Sequence, residues 1–257
     1  MLNEIILNIR FELEFIKNSK MLKKTKDIWD LKKETTDKDW EEIKIRLEKR
    51  RGRPWWEFTS LAMKMKIIDP ERFKEIKISD KEWQEIKDNL ENLRVWDWER
   101  EFSFQAMEIK VIDPESFDEI KISEDDWEDM KRKLEELRGS PWRDFLSMTM
   151  AMKIIWPERF NEISISEKEW QEMKETLENY RGKVWLFFVS QAMAMKIIKP
   201  ERFKEILISE RDWQEIKKES GNYRAKGLWI DFSTLATGIK VLSSEIKIPE
   251  KGLELIE

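Results

Sequence analysis

The chain contains no cysteine and no histidine. Thiolate and imidazole ligands are therefore missing, which excludes zinc fingers, Cys/His zinc enzymes, iron–sulfur clusters and His- or Cys-ligated haem. Ser-His-Asp and Cys-His nucleophile pairs are excluded for the same reason. Carboxylates, Lys, Tyr and hydroxyls are what remains for catalysis. Glycine and proline are scarce, at seven each, and neither GxxxxGK nor GxGxxG occurs. No apolar run is long enough to cross a membrane, and Glu4, Glu12 and Glu14 interrupt the N-terminal stretch in a way a signal peptide would not. We expect a cytoplasmic protein.

Tryptophan, by contrast, is abundant: fourteen in 257 residues. Charged residues make up 40% and apolar residues another 40%, with a net charge of −5. Such a mixed, mildly acidic surface gives no reason of its own to expect nucleic-acid affinity.

The tryptophans are periodic. W-x-x-[IM]-K starts at Trp40, Trp83, Trp127, Trp170 and Trp213, at intervals of 43 or 44 residues. P-E-x-F-x-E-I-x-I-S starts at Pro70, Pro114, Pro157 and Pro200 with the same period. A fixed period of this length is the mark of a repeat array. We divide the chain into an N-terminal half-unit or cap (1–35) and five units: 36–79, 80–123, 124–166, 167–209 and 210–257, the last including a C-terminal cap.

Each unit reads as two helices. A capping box opens the first, helix A: Thr36/Asp39, Ser79/Glu82, Ser123/Asp126, Ser166/Glu169 and Ser209/Asp212. In the second unit Trp83, Ile86, Leu90 and Leu93 then form an apolar stripe. Gly139 and Gly182 suit the position just past a helix end. The second, helix B, is apolar enough to be covered on two sides, as in WWEFTSLAMKMKII from Trp55 to Ile68. A recurrent small residue (Ala62, Ala106, Thr149, Ala192, Ala236) suggests close approach of helices. Asp69-Pro70 ends helix B and starts a short capped turn. We expect about eleven main helices, no useful strands, and an open curved slab with one continuous core. Residues 17–26, with five Lys and no acid, read as a solvated helix end.

Two-helix units of this period resemble the α-solenoid class, with HEAT and armadillo arrays nearest. The unit W-x-x-[IM]-K…R-G…W-x-x-F…A-M-x-M-K-I-I-x-P-E-R-F is similar to repeats in uncharacterised bacterial helical-repeat proteins. The resemblance implies an all-α, right-handed superhelix and brings no activity.

Polar rows recur in every copy. Arg51, Arg94, Arg138, Arg181 and Arg224 follow the helix A Trp by eleven residues. They could contact a repeating anion such as a nucleic-acid backbone. The preferred reading is structural: each closes a helix, where a cation suits the macrodipole, and lies four or five residues before a helix B Trp, at cation–π range. The Trp and Met rows likewise read as core. Positions that vary between copies are better binding candidates. Ser60, Phe104, Ser147 and Ser190 form one helix B stripe. Gln105, Met148 and Gln191 form a second, and Lys64 and Glu108 belong to a third. If helix B lines a groove, these nine residues face a protein or peptide partner. We therefore expect a non-catalytic scaffold or adaptor with no cofactor and no metal, a nucleic-acid-binding array being the alternative. An enzyme using carboxylates or Lys alone has no nucleophile–base motif behind it.

Overall fold

The computed structural model describes residues 35–52, 54–96, 101–139, 141–247 and 254–256. The proposed N-terminal cap (apart from Thr35), the 17–26 lysine run, Trp29 and Trp98 lie outside the described residues. The architecture is all-α. The A helices are α1 (Asp37–Glu48), α4 (Asp80–Trp96), α7 (Glu124–Glu136), α9 (Glu167–Tyr180) and α11 (Glu210–Ala225). The B helices are α2 (Trp55–Ile68), α5 (Glu101–Ile112), α8 (Trp142–Ile155), α10 (Trp185–Ile198) and α12 (Trp229–Ser243). Short turns α3 (Pro70–Phe73) and α6 (Pro114–Asp118) follow the first two B helices.

Helix starts obey the capping chemistry. In four A helices the N-cap hydroxyl accepts from the N3 amide while the N3 carboxylate accepts from the N-cap amide. Ser79 and Glu82 make the same reciprocal pair. Helix stops follow glycine. Gly52, Gly139 and Gly182 have φ of +68°, +87° and +71°, where a Cβ is disfavoured. The second unit carries Val95 at this position, and α4 runs on to Trp96. The interunit turn is just as local. Asp69 and Asp113 cap their turns through the side chain, and these wind as α-helix. Trp156 and Lys199 stand at the equivalent positions, and the turns there are 3₁₀.

The B helices pack side by side in the order α2, α5, α8, α10, α12, and α12 returns to pack on α2. Helix α1 docks on α12. The expected open slab is thus a closed ring. Each inner helix therefore has an inner helix on both sides. Two three-residue strands, β1 (Glu245–Lys247) and β2 (Glu254–Ile256), pair antiparallel with Ile246 opposite Leu255. No strands were expected here; the runs on either side of Pro249 to Gly252 are short, but a two-stranded ribbon needs no more.

The core lies between A and B layers. Trp40, Trp127 and Trp170 are fully buried, as are Phe58, Phe102, Phe145 and Phe188. In four units Trp and Phe of helix B meet edge-on, with centroids 5.3–5.8 Å apart. Arg72, Arg159 and Arg202 lie 4.8–5.0 Å over Trp40, Trp127 and Trp170. The second unit has Ser116 where these three have the Arg, and its Trp83 is only half-buried.

Candidate functional site: the ring mouth and the α12–α2 seam

The recurrent cations hold units together. Each Arg of the eleven-residue row reaches the capping-box acid of the next unit: Arg51 to Glu82, Arg94 to Asp126 at 3.2 Å, Arg138 to Glu169 and Arg181 to Asp212. Arg224 closes the circle, its Nε 3.4 Å from Asp39 Oδ1. Four of them also donate to a linker carbonyl, of Lys77, Lys121, Ser164 or Leu207. The ring beneath each guanidinium is the helix B Phe, not the Trp: Phe58, Phe102, Phe145, Phe188 and Phe232 lie 4.7–5.4 Å away. Phe is one helical turn further on, on the face that meets helix A.

A second row works on the other end. Lys66, Lys110, Lys153 and Lys196 donate at 2.6–2.8 Å to the carbonyls of Ile112, Ile155, Ile198 and Leu242. Each satisfies a C-terminal carbonyl that the next B helix leaves open, and places a cation at its negative dipole end. Burial lowers the Lys66 and Lys153 ammonium pKa below the ordinary range. The linker acids complete the set. Glu162 and Glu205 each accept from a Trp indole (Trp127, Trp170) at 3.0 Å and from a Lys (Lys131, Lys174) at 3.1 Å. The Arg159 and Arg202 guanidinium groups first, with those bonds in support, hold both carboxyls near 2.

The three variable stripes separate in the structure. Gln105, Met148 and Gln191 are buried, in company with Leu61 and Leu235 at the same level. They lie between neighbouring B helices and line no open groove. Both amide atoms of Gln105 and of Gln191 have no hydrogen-bond partner among the described residues. Glu108 is buried too, accepting from Thr59 of α2 at 2.6 Å. At its level come Ala151, Ala194 and Gly238; a Cβ on Gly238 would collide with Val189 of α10. Ser60, Phe104, Ser147 and Ser190 are half-buried, and so is Lys64. A helical wheel puts this face opposite Phe58, Ala62 and Met65, which meet the A layer. Deeper on the same face, Met107 and Met150, then Ile67, Val111, Ile154, Ile197 and Val241, are all buried. The ring is therefore closed toward the C-terminal ends of its inner helices and more open toward their N-terminal ends.

That open end carries an apolar patch that was not expected from the sequence. Trp56, Val184, Phe187, Leu228 and Ile230 are 37–48% exposed. All lie at the starts of α2, α10 and α12, three successive members of the ring. Exposed Lys49, Lys183 and Lys226 stand in the A–B turns of the same three units. The exposed Trp of W-W and the apolar residue before each helix B were the available signals. Beneath the patch, at the α12–α2 seam, is a cavity of about 260 Å³ lined by Arg50, Trp56, Glu57, Ser60, Leu61, Lys64 and Ile230. Arg50 is answered by Glu57 at 3.2 Å. A second hollow of about 280 Å³ includes Lys110, Phe117 and Ile155, but its lysine is spent on the Ile155 carbonyl.

Among the described residues no helix is long and apolar enough to cross a membrane, and no cluster of three or more acids could hold a metal ion. Comparison with protein-family models, curated proteins and solved structures gave no match.

Proposed function

We propose that the chain is one α-solenoid module of five tandem units, closed into a ring, that serves as a non-catalytic scaffold in the cytoplasm. Its partner is an amphipathic peptide helix with acidic flanks. The observation that carries this reading is the grouping of Trp56, Phe187, Leu228 and Ile230 at one mouth, bordered by Lys49, Lys183 and Lys226. An exposed apolar patch bordered by unpaired lysines suits an apolar partner surface that carries carboxylates. No ion pair of these three lysines occurs among the described residues. The groove first expected along the inner stripes gives way to this surface, with Ser60 and Lys64 at its edge.

The nucleic-acid reading has less support. Its cations, Arg51, Arg94, Arg138, Arg181 and Arg224, are engaged with carboxylates between units. Selection from a displayed library of random peptides tests the proposal. Enriched peptides should combine apolar residues with carboxylates, and binding should fall at least about ten-fold in the Phe187→Ser/Ile230→Ser variant. Equal binding to that variant overturns the reading. So does tight, steeply salt-dependent binding of single-stranded DNA, or sedimentation with anionic vesicles in place of peptide capture.

A further inference from the structure

The five seams between inner helices are alike in plan but not in filling. At the level of Lys64 the other units place Glu108, Ala151, Ala194 and Gly238. Three of those are small, and the helices close on one another there. At the α12–α2 seam the long Lys64 side chain takes this place, and the cavity of about 260 Å³ lies beside it. Lys64 makes no hydrogen bond or ion pair among the described residues. Two neighbouring charged groups are engaged: Arg50 with Glu57, and Glu108 with Thr59. Asp231 of α12 and Glu108 of α5 act on Lys64 through their fields, and Arg50 opposes them.

We propose that Lys64 is a covalent docking point for a small apolar aldehyde or ketone, held as an imine in the seam cavity. The walls fit that class. Trp56, Leu61 and Ile230 are apolar, and the Arg50–Glu57 pair is neutral as a unit, so the wall favours no net charge on the ligand. Ser60 offers a hydroxyl for the carbonyl oxygen.

The chemistry is a condensation without redox change. The Lys64 amine lone pair attacks the carbonyl carbon, forming the C–N bond as the C=O π pair moves to oxygen, and one of the two nitrogen protons passes to that oxygen to give a neutral carbinolamine. The nitrogen lone pair then forms the C=N bond as the C–O bond breaks. The oxygen leaves as water with a proton relayed from the Glu108 carboxyl through the Ser60 hydroxyl, which lines the cavity and hydrogen-bonds to Glu108, and the nitrogen's remaining proton returns by the same route. One water is released per imine formed. Two features of the site favour this. Burial lowers the Lys64 pKa, which raises the share of free amine. Burial also raises Glu108 to about 7, which keeps a proton available near neutrality.

Reductive trapping tests the proposal. The full chain is treated with butanal and cyanoborohydride at pH 7, and alkylation of each lysine is followed by peptide mass mapping. Lys64 should be modified about ten-fold or more faster than exposed Lys49, Lys183 and Lys226. Glu108→Gln should slow Lys64 alone, and Ser60→Ala serves as a second variant should the first fail to fold. Modification of Lys64 at or below the surface rate overturns the proposal. So does a fast rate unchanged in both variants. Peptide binding at the mouth is a separate readout, so failure of either idea leaves the other standing.

Discussion

Arg224 Nε lies 3.4 Å from Asp39 Oδ1, joining residues 185 positions apart in the chain. The Arg46 guanidinium donates to the Gly227 carbonyl at 3.1 Å beside it. Together they make the last unit hold the first as each unit holds the next. In an open array Arg224 would be a terminal side chain of little consequence. In the ring, Arg224→Ala leaves the buried Asp39 without its cation and should cost about 1–3 kcal/mol. Urea unfolding should give a loss comparable to that of Arg138→Ala. A wild-type midpoint for Arg224→Ala with a normal loss for Arg138→Ala would count against closure.

Gln105 and Gln191 are buried with both amide atoms unpartnered, at a level where other units use Leu61, Met148 and Leu235. Replacing a polar group that pairs with nothing by an apolar one of similar size removes a desolvation cost. Gln105→Leu and Gln191→Leu should each raise stability by about 1 kcal/mol, seen as a higher urea midpoint at unchanged slope.

Stability should peak on the acid side of neutrality. Glu162 and Glu205 are held near 2, below the ordinary 4.5, so their stabilisation is present above about pH 4.5 and is lost as pH falls toward 2. Glu108 is raised to about 7. The folded state keeps its proton while the unfolded chain gives it up, so stability declines as pH rises from about 4.5 to 7. Unfolding curves across pH 2–8 should show both limbs. Glu108→Gln should flatten only the upper one, and Glu162→Gln with Glu205→Gln only the lower.

Gly238 faces Val189 with no room for a Cβ. Gly238→Ala should overpack the α10–α12 contact and lower stability by about 1–3 kcal/mol, despite the better helix propensity of Ala. Adding Val189→Ala should recover much of the loss in a double-mutant cycle. A stabilised single variant would mean the two helices part easily.

Local chemistry made the units legible. Ser or Thr with an acid three residues on, Gly after the A helix and Pro after the B helix fix where the helices begin and end, and hydrophobic spacing fixes which Trp are buried. The ring escaped because closure depends on how successive units are set against one another, and no single residue encodes it. The inner stripes misled for a related reason. A helical wheel separates the Phe58 face from its opposite, but it does not say whether Gln105 borders solvent or the next helix. Lys64 was readable as the lone lysine in a stripe of Glu, Ala, Ala and Gly. Its cavity was not, since Ile230 comes from a helix 166 positions later.

Closure also governs how this architecture can change. An open solenoid lengthens by duplication, because a new unit meets one old face and presents another. Here every inner helix already has both neighbours, and α12 seals α2. A sixth copy would have to widen every joint at once, disturbing each Arg–carboxylate bracket and each lysine-capped carbonyl together. Copy number becomes a property of the joint angle. Variation is then channelled into the residues that fill the seams and edge the mouth, which is where these copies differ from one another.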